Sequence, residues 1–181
     1  SIVKELVENC IDANATSIVI EIKDGGLSFL RVTDNGTGIS KDDVKNAFQR
    51  HATSKIKNEN DLNSILTLGF RGEALSSIAG VSQVEMITKT ANDTTGTRIE
   101  IHGEKIIAYG DIGSTEGTSI IVRNIFFNIP ARRKFLKKAS TETSYISELV
   151  NKFALGHPNI VFKYINNGNI VLQTSGNNNL E

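Results

Sequence analysis

Hydrophobic positions along the chain fall into two periods. At the start, Ile2, Val3, Leu6, Val7, Cys10 and Ile11 recur at helical spacing, with Glu5, Glu8, Asn9 and Asp12 on the opposite side. After a turn at "DANAT", Ile18, Ile20 and Ile22 alternate with polar neighbours in "SIVIEIK", the period of a half-buried strand. Gly25 and Gly26 then lead into "LSFLRVTDNG", which predicts an antiparallel hairpin. Ser40, with Asp43 three residues later, makes a capping-box pattern ahead of a helix carrying Val44, Ala47 and Phe48. The polar run "RHATSKIKNENDLNSILTLG" reads as a long loop with a short helix around Leu62 to Leu66, a length that suits a lid or binding loop.

The second half is strand-rich: "QVEMITKT", "TRIEIHG", "IIAYGDI" and "TSIIVRNI". "IPARRKFLKK" predicts a basic helix with Pro130 in its first turn. Ile146, Leu149, Val150 and Phe153 mark a further amphipathic helix, stopped by "GHP". A last hairpin joins "NIVFKYI" to "NIVLQTS" through "NNGN". The expected architecture is α+β: a two-layer α/β sandwich with helices on one face of a mostly antiparallel sheet, residues 1–181 forming one domain.

Composition narrows the function only a little. Twenty Lys and Arg balance 20 Asp and Glu, so any surface for DNA must be local. The single cysteine, Cys10, allows no internal disulfide, and the three histidines are scattered. There is no apolar run of roughly 18 residues and no basic-then-apolar leader. The expectation is a protein that is not secreted, has no membrane partner, and is cytoplasmic, or nuclear if eukaryotic. Because the chain opens inside a helical pattern without methionine, it is expected to be a piece of a longer protein.

Four constellations carry chemistry. Glu5 and Asn9 stand four residues apart and so lie on one helix face, a carboxylate that can take a proton beside an amide oxygen that can ligate a hard cation such as Mg²⁺. Asp34, in "TDNGTG", ends a strand-like run just before Gly36 and Gly38; its carboxylate accepts hydrogen bonds only and suits an exocyclic amine, although "DNG" is also an ordinary turn. In "LTLGFRGEALSSIAG", Gly69 and Gly72 loosen the chain ahead of a helix, which points free N–H groups at an anion without the P-loop's lysine. The "HATSK" segment adds hydroxyls and a cation. Finally, "ARRKFLKK", residues 131 to 138, is either a phosphate-contacting patch or a solvated helix face.

Taken in order, "ELVENCIDANAT", "TDNGTGI", "RHATSKI", "LGFRGEALSSIA" and "NIPARRKFLK" resemble the MutL family of DNA mismatch-repair ATPases, within the GHKL ATPases. The resemblance runs from Ser1 to at least Phe153. It implies a left-handed-crossover α/β sandwich that binds ATP and Mg²⁺, with Glu5 as the general base and Asn9 as the metal ligand. It places Asp34 on the adenine amine, with Gly38 and Thr118 lining that pocket. Thr53, Ser54 and Lys55, and the run Arg71, Gly72, Glu73, Ala74 and Leu75, would hold sugar and phosphates. Arg132, Arg133 and Lys134 would contribute weak, sequence-independent DNA contacts. Expected partners are DNA, a MutS-like mismatch-recognition protein and a second MutL-type subunit, identical or not.

The resemblance also implies missing parts: a leading segment that helps the ATP-bound state dimerise, and a following domain that supplies a lysine to the γ-phosphate. Hydrolysis by this piece alone is therefore expected to be weak or absent. The leading expectation is an ATP-driven clamp whose lid, between roughly residues 48 and 71, is ordered by nucleotide. A nucleotide-switched DNA and protein matchmaker with incidental hydrolysis is the alternative, and another GHKL enzyme such as a topoisomerase subunit a third.

Overall fold

The computed structural model describes residues 2–49, 74–134 and 136–177. Helix α1 (Ile2–Asp12) leads into β1 (Ser17–Lys23), a 3₁₀ turn (Asp24–Gly26), β2 (Phe29–Asp34) and α2 (Lys41–Gln49). Then come α3 (Ala74–Val81), β3 (Gln83–Lys89), β4 (Gly96–His102), β5 (Lys105–Ile112), β6 (Gly117–Arg123), α4 (Pro130–Arg133), α5 (Ala139–Gly156), β7 (Val161–Asn166) and β8 (Asn169–Gln173). The strands make one sheet in the order β5-β4-β3-β6-β2-β1-β7-β8. Every pairing is antiparallel except β1 with β7, which α5 makes possible by carrying the chain across from β6.

Alternation along each strand divides the sheet into two faces. Ile18, Ile20, Ile22, Val84, Met86 and Phe162 point to one side and join a single core with Leu6 and Val7 of α1, Val44 of α2, Ile78 of α3 and Val150 of α5. Each such side chain contributes about 1.5–3 kcal/mol by leaving water. The other face carries ion pairs in place of helices. Arg31 pairs with Glu21, Arg123 with Glu85, and Arg98 with both Glu85 and Glu100, while Lys23, Arg31 and Arg123 gather over the Phe29 ring. The expected two-layer sandwich with helices on one face is borne out.

Three local expectations are corrected. "IPARRKFLKK" does not form an extended basic helix: α4 is a single turn from Pro130 to Arg133 and buries no residue. A four-residue helix without a packed face has too few contacts to repay its nucleation. The Ser40 capping box closes side chain to side chain, Ser40 Oγ donating to Asp43 Oδ2 at 2.8 Å, while the Asp43 and Val44 N–H groups bond the Ser40 carbonyl. Glu5, set by its spacing opposite the apolar stripe of α1, is nevertheless buried: α1 touches both β2 and α3, and Glu5 is only 5% exposed.

Candidate functional site

A cavity of about 790 Å³ opens between the sheet and the helices. Leu6, Asn9 and Cys10 of α1, Val32 and Asp34 of β2, and Thr118 and Ile120 of β6 line it. Gly38 and Ile39, Asp43, Asn46 and Ala47 of α2, and Ala74 and Leu75 at the first turn of α3 complete the wall. The volume is in the range of small-molecule sites.

Asp34 sits where β2 ends, its Oδ1 accepting the Gly36 N–H at 2.7 Å. Burial raises its pKa above the ordinary carboxylate value, against the opposing pull of the Gly36 N–H, the Cys10 thiol and the Thr118 backbone. Burial and the adjacent Asp34 charge in turn push the Cys10 thiol far up, which keeps it protonated and able to donate to Asp34. The loop after Asp34 is tied down by Asn35, whose Oδ1 accepts the Thr16 and Ser17 N–H groups at 2.8 and 3.0 Å.

Two glycines permit the close approach of backbone that shapes this wall. Gly38 has φ +73°, and a Cβ there would lie 2.1 Å from the Lys89 carbonyl oxygen. Gly117 has φ +127°, and its Cβ would meet the Asp34 carbonyl oxygen at 2.2 Å. Beside them Thr88 Oγ1 contacts Thr118 Oγ1 at 2.8 Å, the Gly117 carbonyl at 3.1 Å and the Ile39 N–H at 2.9 Å.

The cavity thus brings together Asn9, Asp34, Gly38, Ala74, Leu75 and Thr118 from positions far apart in sequence. Glu5 is not among its lining residues: it lies one helical turn before Asn9, with Oε2 buried and lacking a hydrogen-bond partner among the described residues. Thr53, Ser54, Lys55, Arg71, Gly72 and Glu73, the lid and the helix around Leu62 fall outside the described residues. Arg133 and Lys134 are exposed and Arg132 half-exposed, away from the cavity wall.

Sequence reasoning missed Cys10, Asn46 and Thr88 as site or supporting residues, and Thr97 as the buried strand partner of Thr88. A signal for the threonines existed: Thr88 continues the inward phase of Val84 and Met86, and Thr97 that of Ile99 and Ile101. A polar residue in a buried phase needs a hydrogen-bond partner inside.

A sheet covered by helices on one face, with a mainly apolar cavity bearing a few acceptors against α1, is the fold of a nucleotide-binding ATPase. The chain belongs to the family of histidine kinase-, DNA gyrase B-, and HSP90-like ATPases, whose model matches residues 1–117. Curated relatives that match nearly the whole chain include MutL proteins. The DNA mismatch repair protein MutL of Agathobacter rectalis is 59% identical over 179 residues, covering 99% of this chain and 28% of that protein. MutL of Caldanaerobacter subterraneus is 51% identical over 181 residues, covering 100% and 31%. Among solved structures, the Aquifex aeolicus MutL ATPase domain complexed with ADP superposes with a TM-score of 0.80 at 34% identity, covering 96% of this chain and 62% of that one. The resemblance to MutL is borne out, and a topoisomerase subunit is not favoured. The chain spans less than a third of the length of these curated relatives. No helix among the described residues is long and apolar enough to cross a membrane.

Proposed function

We propose that residues 1–181 are the ATP-binding domain of a DNA mismatch-repair MutL protein, in which ATP orders a lid and drives clamp closure. The observation that carries this reading is Asp34: a half-buried carboxylate in a concave cavity, fixed by the Gly36 N–H and presenting its remaining acceptors inward. A carboxylate has about four acceptor sites, and an adenine amine supplies a further donor beside those of Gly36, Cys10 and Thr118. Gly38 and Thr118 flank the base, and the first turn of α3 at Ala74 and Leu75 directs N–H groups toward phosphates. Thr53, Ser54, Lys55, Arg71, Gly72 and Glu73 are proposed to complete the phosphate cradle.

The donor set fits Mg²⁺ held largely by the nucleotide. Asn9 contributes a neutral oxygen, and no group of three His, Cys, Asp or Glu among the described residues forms a cage. When bound, the ion would neutralise phosphate charge. Glu5, with its unpartnered Oε2 one turn from Asn9, is proposed to accept the proton of the attacking water. Proposed partners are DNA through Arg132, Arg133 and Lys134, a MutS-like protein and a second MutL-type subunit, in the cytoplasm or, in a eukaryote, the nucleus.

Nucleotide titration of the chain with and without Mg²⁺, and Glu5→Ala in the longer protein, test this. ATP binding retained with hydrolysis and repair both lost supports the ATPase clamp. Repair that persists without hydrolysis favours the matchmaker, and no ATP binding by the wild type refutes both.

A further inference from the structure

One polar row crosses the helix-facing side of the sheet at its cavity end. Asp34 of β2 pairs with Thr118 of β6, Thr118 with Thr88 of β3, and Thr88 with Thr97 of β4. Thr88 is 1% exposed, so every hydrogen bond it makes is internal. Its Oγ1 has three neighbours: the Ile39 nitrogen at 2.9 Å, the Gly117 carbonyl oxygen at 3.1 Å and Thr118 Oγ1 at 2.8 Å.

A hydroxyl carries one hydrogen and two acceptor lone pairs. The Ile39 N–H can only donate to Thr88, and the Gly117 carbonyl can only accept from it. All three contacts are hydrogen bonds at once in a single arrangement, with the Thr88 hydrogen on the Gly117 carbonyl. The third contact is then a hydrogen bond only with Thr118 as donor. Its hydrogen is turned toward β3, and lone pairs alone remain for the cavity that Thr118 lines.

We propose that Thr88 is a positioning residue that sets base specificity. By fixing the direction of the Thr118 hydroxyl it leaves Asp34 and Thr118 both facing the cavity as acceptors, together selecting a purine with an exocyclic amine over one with a carbonyl there. The inference rests on the nucleotide reading above. A carbonyl facing these two groups finds no donor, and sites built around a specific hydrogen bond reject the analogue that leaves buried groups unpaired. Removing the Thr88 hydroxyl frees Thr118 to rotate and donate to a carbonyl.

The test is calorimetric titration of ATP and inosine triphosphate into wild type, Thr88→Val and Thr88→Ser, with melting curves as a folding control. Wild type is expected to prefer ATP. In Thr88→Val the ratio of the two affinities is expected to fall by about tenfold, and in Thr88→Ser, which restores all three contacts, to stay within about twofold of wild type. An unchanged ratio in folded Thr88→Val, an equal loss in both variants, or a wild type without preference overturns the assignment. If Thr88→Val does not fold, proton NMR of the wild type decides: a Thr118 hydroxyl proton protected from exchange and close to Thr88 supports it, and one exchanging freely overturns it. A wild type that binds neither nucleotide overturns the nucleotide reading and this assignment with it.

Discussion

Replacing Asp34 by Asn probes the site at its most informative atom. The two side chains have nearly the same shape, so the substitution changes charge and donor pattern with little change in packing. The Gly36 N–H, 2.7 Å from Oδ1, requires an acceptor at that position and so fixes the amide with its oxygen there. The amide nitrogen then takes the place of the other carboxylate oxygen and presents hydrogens where an adenine amine also presents hydrogens. A hydrogen bond to a charged partner is lost, about 1.5–3 kcal/mol, and a donor is left facing a donor. Together these come to about 2–4 kcal/mol, or roughly 30- to 1,000-fold in affinity. Calorimetric titration of ATP into the folded variant measures it directly. An affinity within about threefold of wild type would remove Asp34 from base recognition.

Asp34 also predicts a pH dependence of stability. Its folded-state pKa is raised by burial, so the folded state binds a proton more tightly than the unfolded chain. Its contribution is most favourable below the ordinary carboxylate value of about 4 and is lost as pH rises to the folded-state value. Denaturant unfolding across that window is therefore expected to show Asp34→Asn gaining on wild type with rising pH; a constant or shrinking difference contradicts the burial argument. Gly38→Ala forces a Cβ to within 2.1 Å of the Lys89 carbonyl at φ +73°, and the conformation alone costs about 1–2 kcal/mol, so unfolding midpoints are expected to drop and ATP binding to weaken. Unaltered melting would show that the Lys89 strand yields freely. Arg132→Glu with Arg133→Glu is expected to weaken DNA retention and flatten its dependence on salt, since each phosphate contact given up lowers the slope by about one. Filter binding over a salt series reads this, and an unchanged slope removes α4 from any DNA surface.

Much of the fold was legible because burial on one face leaves a period in the chain. Ile18, Ile20 and Ile22 announce β1, and Ile146, Leu149 and Val150 announce α5, without reference to anything distant. The basic helix failed for the complementary reason. "ARRKFLKK" has helix-compatible residues, yet only one turn forms, because helix length depends on a buried face and α4 has none. Motif order also carried the family, and of the residues matched by resemblance Asn9, Asp34, Gly38, Ala74, Leu75 and Thr118 line one cavity.

The sequence by itself determined most of the elements, their two-layer arrangement, the family and six of the fifteen residues that line the cavity. Only tertiary structure decided their setting. Glu5 looked like part of a polar helix face, but packing of α1 against both β2 and α3 buries it with an unpartnered oxygen. Cys10 read as a core position, and folding turns its thiol to the Asp34 carboxylate. Thr88 stands 49 residues from Ile39 and 30 from Thr118, yet one hydroxyl bonds both. Local periodicity records which side of an element is apolar. It does not record which distant polar group must satisfy each buried hydrogen, and at this site that pairing sets the chemistry.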